Sequence, residues 1–323
     1  MKDFSGKIAV ITGGGTGMGR ELARQLSAEG CNVAICDVSA PNMAATKALC
    51  EAGAVQGVRV TTFVADVADE NQIDRFHDAV ARDQDTDKIH LLFNNAGIGG
   101  GGSIVAGDRS EWEKTFNVCW GGVYNCTRAF LPMLVAASEG HIVNTSSMNG
   151  FWASIGPGIP HTAYAAAKFA VKGFTEALIT DLAVNAPHVK CSVVMPGHIG
   201  TDIVANSRKV LSGDESDTLS EPALAQARTR FTAMGLDAAK LSDADIQAMI
   251  ADRVRRFRDE APTTAAQAAT IILDAVKADR WRVLVGRDAE VFDAQVRADP
   301  EHAYDLDFFQ NTAREAGWRL NAL

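Results

Sequence analysis

Short apolar segments alternate with helix-like ones along the first two-thirds of this 323-residue chain, and that alternation restricts the fold more than any other feature. Strands are expected at Ile8 to Ile11, Asn32 to Cys36, Arg59 to Val64, Leu91 to Phe93, His141 to Thr145 and Lys190 to Val194. Between them lie helical stretches such as Met18 to Glu29, Asn71 to Asp83, Ser110 to Ser138 and Tyr164 to Asn185. Such alternation predicts an α/β fold, a doubly wound parallel sheet with helices on both faces. Sheets of this kind bind ligands outside the carboxyl ends of their strands. The polar residues that follow the strands are therefore the site candidates.

The last third reads differently. Residues 203–261 carry no strand signal. Leu224, Ala227, Phe231 and Met234 recur at helical spacing, as do Ile246, Ile250, Val254 and Phe257 after the capping signal Ser242-x-x-Asp245. Two amphipathic helices are expected there, inserted as a lid over a substrate pocket. Thr264-x-x-Gln267 opens a further helix to about Val276, and Arg282 to Val285 reads as a seventh strand. A tail at 287–323 follows, polar with scattered aromatic residues. Its place, over the chain's own pocket or on a neighbouring subunit, is left open. No repeat or flexible linker interrupts the chain, so residues 1–323 are read as a single domain.

Net charge is −9, from 40 acidic against 31 basic residues, which disfavours nucleic acid as a partner. No apolar run is long enough for a membrane span, and no signal-peptide order is present at the N-terminus. A cytoplasmic location and no membrane partner are expected. The six cysteines form no C-x-x-C pair and have no histidines at zinc spacing, so neither a disulfide framework nor a metal site is read.

After the first strand comes Thr12-Gly13-Gly14-Gly15-Thr16-Gly17-Met18-Gly19. Glycines at such a strand-to-helix turn permit a close backbone approach to a pyrophosphate at the helix N-terminus. Asp37 ends the second strand, 18 positions beyond Gly19. A carboxylate there can accept hydrogen bonds from both hydroxyls of an adenosine ribose and would repel a 2′-phosphate. NAD (as NADH when reduced) is therefore favoured over NADP as the cofactor. Further along, Tyr164 and Lys168 stand four apart at the start of a helical run, on one face. A nearby ammonium favours the phenolate and is expected to lower the tyrosine pKa, giving a proton donor and acceptor usable near neutrality.

Together these motifs resemble the short-chain dehydrogenase/reductase family, closely over residues 5–202 and loosely over 262–286. The resemblance implies a Rossmann-type sheet of about seven strands. It places Gly13, Thr16, Gly17 and Met18 in the cofactor loop and Asp66-Val67 against the adenine. Asn94, Ala96 and Gly97, within Asn-Asn-Ala-Gly, are implied as further cofactor contacts. Pro196, Gly197, Ile199 and Thr201 match the segment that, in the family, lies against the nicotinamide. Asn117, Ser147, Tyr164 and Lys168 match its catalytic tetrad in order.

The implied reaction moves a hydride between nicotinamide and a carbon bearing oxygen. Tyr164 exchanges the proton on that oxygen, Ser147 hydrogen-bonds the oxygen, Lys168 binds the nicotinamide ribose, and Asn117 holds a relay water. Two departures from the family pattern stand out. Ser147 to Tyr164 spans 17 positions, more than is usual, with the extra residues between Phe151 and His161; the insert at 203–261 is also long. Ser146 adjoins Ser147, so the serine assignment can slip by one. Trp152, His161 and His198 are candidate substrate contacts, each with a packing or loop role as its alternative.

An NAD-linked oxidoreductase acting on a small-molecule secondary alcohol or ketone, bulky and apolar, is the expected function. An NADP(H)-dependent carbonyl reductase and a non-catalytic dinucleotide-binding sensor or scaffold are the alternatives. The presence of both Tyr164 and Lys168 weighs against the last. Apolar residues on more than one face of Trp112 to Leu134 and Tyr164 to Ala186 point to a homo-oligomer, a tetramer or dimer.

Overall fold

The computed structural model describes residues 1–318, except 157, 214–217, 234 and 235. Seven strands form the main sheet: β1 (Ile8–Thr12), β2 (Asn32–Asp37), β3 (Val60–Val64), β4 (Leu91–Asn94), β5 (Gly140–Thr145), β6 (Val189–Pro196) and β7 (Arg282–Val285). Their order is β3-β2-β1-β4-β5-β6-β7 and every pairing is parallel. All seven carboxyl ends thus share one edge of the sheet. The winding reverses between β1 and β4, the position at which doubly wound sheets open a ligand crevice. β1 and β5 are buried at every residue; β1 accordingly reads as a near-continuous apolar run, while β5 buries His141, Asn144 and Thr145 beside Ile142 and Val143.

Two cores lie on opposite faces of the sheet. One packs Leu22 and Leu26 of α1 (Gly17–Ala28) with Met43 of α2 (Ala40–Gly53) and with Ile272 and Leu273 of α10 (Ala265–Lys277). The other packs Ile73 and Phe76 of α3 (Glu70–Gln84), Phe130 of α5 (Gly122–Val135) and Leu178 and Leu182 of α6 (Thr162–Asn185).

Two expectations need correction, and one short element was not foreseen. The run read as one helix, Ser110 to Ser138, is α4 (Arg109–Phe116), a π-helical segment at Asn117–Gly121, and α5. The Gly122 N–H reaches back to the Asn117 carbonyl, one residue beyond the α-helical partner. Among the described residues, 203–261 hold three α-helices rather than two: α7 (Ile203–Ser212), α8 (Glu221–Ala233) and α9 (Asp243–Asp259). Leu224, Ala227 and Phe231 do pack on Ile246 and Ile250, as their spacing predicts; Met234 lies outside the described residues. Finally, a two-residue parallel ladder pairs Ile199–Gly200 with Thr263–Thr264, too short to register as a periodicity.

Both predicted capping signals form reciprocal boxes, Ser242 with Asp245 on α9 and Thr264 with Gln267 on α10. The tail folds into α11 (Arg287–Ala298) and α12 (Leu306–Glu315) and packs on Met148 and Trp152 of its own chain. No described helix is long and apolar enough to cross a membrane.

Candidate active site

The glycine loop joins β1 to α1 at the sheet edge where all the strands end. Gly17 takes a left-handed φ of +53°, and a Cβ there would press on the Thr201 side chain. The loop is fastened from three sides. Asn95 donates from Nδ2 to the carbonyls of Thr12 and Gly13, at 3.0 and 3.3 Å. The Gly15 N–H donates to Asp37 Oδ2 at 2.9 Å. Arg20 and Thr46 both donate to the Gly15 carbonyl. Thr16 begins α1 without a side-chain cap, so the first-turn N–H groups of a 12-residue helix face the crevice. An uncapped helix start, a loop of small residues and a carboxylate at the end of β2 together fit the pyrophosphate and adenosine ribose of a dinucleotide.

Asp37 Oδ1 accepts from the Ser39 N–H at 3.0 Å, so backbone donors fix both carboxylate oxygens. Asp66 caps its own turn by accepting from the Ala68 N–H. Val67 is buried, set so close to Gly122 of α5 that a Cβ at that position would collide with it. Asn94, implied as a cofactor contact, has its side chain held inside the sheet layer. Its amide is buried, donating to Asn144 Oδ1 at 2.8 Å and Thr127 Oγ1 at 3.0 Å, which ties β4 to β5 and α5. Its neighbour Asn95 is the one that holds the cofactor loop. Thr12 matters for the same reason: its Oγ1 accepts from the N–H groups of Asn95 and Ala96.

The candidate acid–base group, Ser147, Tyr164 and Lys168, gathers where β5 ends and α6 begins. The Ser147 hydroxyl lies beside the Tyr164 phenol. Lys168 Nζ lies 5.3 Å from the Tyr164 ring centroid and donates to the Thr145 carbonyl at 2.8 Å. Of the two adjacent serines, Ser146 turns away: its Oγ donates to the Lys168 carbonyl at 2.7 Å. Gly97 passes close over Lys168 Nζ and Cys119 Sγ. Asn117, which opens the π-helical segment, is an exposed side chain.

The electrostatics run opposite to the sequence-based expectation. Burial pushes the Tyr164 phenol well above its ordinary pKa, with Cys119 adding in the same direction and the Ser147 hydrogen bond opposing. Burial also lowers Lys168, against a smaller upward effect of Cys119. Removing both groups from water penalises whichever of their forms is charged.

Of the three candidate substrate contacts, only His161 touches the acid–base group, its ring 4.7 Å from that of Tyr164. Trp152 is enclosed: its indole stacks on Phe292 at 4.6 Å and donates to the Ala303 carbonyl at 2.7 Å. It packs loop against tail and offers no surface to a substrate. His198 packs tilted against Phe257 with ring centroids 4.3 Å apart and Nε2 2.7 Å from the Phe257 carbonyl, so its ring is spent on α9. Burial lowers its pKa.

α7 lies over this group of loops. Asn206 Nδ2 donates to Thr16 Oγ1 at 3.1 Å, and the Gly99 N–H donates to Ser207 Oγ at 2.8 Å.

The sequence model described as short chain dehydrogenase matches residues 7–211. The chain belongs to the short-chain dehydrogenase family. SadH of Mycobacterium tuberculosis is 40% identical over 221 residues, 68% of this chain and 76% of SadH. A short-chain dehydrogenase/reductase from Burkholderia phymatum, solved with NAD, superimposes with a TM-score of 0.73 at 29% identity, over 94% of this chain and 95% of that one. A metagenomic short-chain oxidoreductase, solved with NADP, gives 0.52 at 29% identity over 60% and 83%. The chain is thus an oxidoreductase of this family, and its relatives bind one or other nicotinamide dinucleotide.

Asn95, Asn206 and Cys119 escaped the sequence reading. Asn95 stands inside a motif that was noticed, and its loop-facing role follows from the alternation of side chains past the end of β4. Asn206 and Cys119 carry no local signal; each acts through a partner far along the chain.

Proposed function

We propose that this short-chain dehydrogenase uses NAD(H) and transfers a hydride between the nicotinamide and a secondary alcohol or ketone. The carrying observation is the convergence of Ser147, Tyr164 and Lys168 beside the crevice that the glycine loop and Asp37 border. A bound nicotinamide supplies or accepts the hydride. Ser147 donates a hydrogen bond to the substrate oxygen and stabilises charge developing there. Tyr164 gives that oxygen its proton in reduction and removes it in oxidation. Lys168 donates to the nicotinamide ribose, and Asn117 holds a water that links Lys168 to solvent. The choice of NAD rests on Asp37, whose fixed carboxylate suits a ribose diol and repels a 2′-phosphate.

Titrating the protein with NADH and with NADPH, followed by cofactor fluorescence, tests this. NADH is expected to bind at least about tenfold more tightly, the effect of one misplaced charge. A preference for NADPH would sink the Asp37 argument. Binding of NADH with no turnover across a panel of secondary alcohols and ketones would favour the sensor reading. A bulky, apolar substrate is proposed because the exposed Ile104 and Val105 ride on the loop that Gly101 and Gly102 fasten to the start of α6.

We also infer a homo-oligomer. Tyr124 and Val135 on α5, and Phe169, Ile179 and Val184 on α6, are large apolar side chains left exposed. Light scattering should return a multiple of the 34.3 kDa chain mass; the chain mass itself at micromolar concentration would refute the assembly.

A further inference from the structure

Asp288 stands in the first turn of α11, fully buried, and none of the roles above uses it. Its Oδ2 accepts from the His198 backbone N–H at 2.6 Å and from the Trp318 indole N–H at 2.9 Å. Its Oδ1 is buried with no hydrogen-bond partner among the described residues. The carboxyl group lies so close to Gly197 that a Cβ at that position would collide with it. The Gly197 N–H donates to the Val285 carbonyl at 3.0 Å. Two consecutive N–H groups of the segment after β6 are therefore fixed, one by β7 and the next by Asp288. His198 adds a third tie through its ring to Phe257.

A buried carboxyl group with one idle oxygen is costly, and an apolar residue would fill the space at less expense. Such a group needs a reason other than stability. Its position supplies one. Asp288 grips the backbone from which Ile199 and Thr201 project, while Trp318 shields the carboxyl group.

We propose that Asp288 is a positioning residue for the nicotinamide half of the cofactor, acting through the Gly197–His198 backbone. This rests on the reading of segment 196–201 given above. The adenosine half is held elsewhere, by the glycine loop and Asp37. Loss of Asp288 should therefore weaken only what binds the nicotinamide ring. ADP-ribose, which lacks that ring and keeps the rest of the dinucleotide, isolates its contribution.

The test is a pair of titrations, NADH and ADP-ribose, on the full chain and on Asp288→Ala, Asp288→Asn and Trp318→Phe. Asp288→Ala is expected to bind NADH about tenfold more weakly, as loss of charge-assisted hydrogen bonds implies, with ADP-ribose unchanged. Asp288→Asn keeps an oxygen able to accept both bonds and should stay within about threefold of the parent for NADH. Trp318→Phe keeps the ring and loses one donor; it decides the matter if Asp288→Ala does not fold, a selective loss of NADH supporting the proposal. Equal losses of NADH and ADP-ribose, or no loss of either, would overturn it. A parent chain that binds neither ligand would instead overturn the cofactor reading on which it stands.

Discussion

Tyr164→Phe is expected to lower turnover by about 10²–10⁴-fold, the usual contribution of a positioned general acid or base. Phe preserves the ring beside His161 and removes only the phenolic oxygen beside Ser147. NADH affinity should therefore stay close to that of the parent. The pH profile gives a second readout. Burial raises the Tyr164 pKa, so the phenol stays protonated through neutral pH. Reduction, which needs the acid form, should be sustained at neutrality and fall only as the pH rises through that raised value. Oxidation needs the phenolate, so its rate should climb by about tenfold per pH unit below that value. The Phe variant should lose this climb along with the turnover. A variant that keeps most of its activity, or a parent whose oxidation rate is flat with pH, would remove Tyr164 from the proton path.

The same pair of residues shows what a sequence can and cannot disclose. The spacing of Tyr164 and Lys168 places them on one helical face whatever surrounds them, and the structure keeps them together. Their pKa directions depend on how much water reaches them, which is settled by Gly97, Cys119 and Thr145 from three other elements. No pattern local to α6 encodes that. The seven strands were legible because each has a short apolar stretch followed by a polar or turn-forming residue. The break at Asn117–Gly121 was not, because apolar periodicity continues across it and only a Gly-Gly pair marks the place. Trp152 and His198 failed in an instructive way. Trp152 reads as a wall of an apolar pocket or as packing, and His198 as lying near the expected nicotinamide; each spends its ring on a distant segment, Trp152 on the tail and His198 on α9. Proximity along the chain says where the backbone is; it does not say which way a side chain turns.

Trp152→Ala is expected to destabilise the chain by about 3–5 kcal/mol, the range for deleting a large buried aromatic residue. The indole stacks on Phe292 and Phe309 and donates to Ala303 O, so truncation leaves a cavity, two unpaired ring faces and an orphaned carbonyl. α12 would be loosened most, since Phe309 also packs on Gly156 of the same loop. Trp152→Phe refills much of the space and loses the N–H, so it should recover over half of the loss. Thermal unfolding followed by circular dichroism would measure both variants. The functional consequence follows from connectivity: Met148, directly after Ser147, belongs to the same cluster, so loosening the cluster frees the loop that carries the serine. Turnover should fall in Trp152→Ala even below its melting range, while NADH affinity, set by the glycine loop and Asp37, holds. An unchanged melting midpoint combined with a raised KM for substrate would show that Trp152 faces the substrate after all, and that the tail is held by something else.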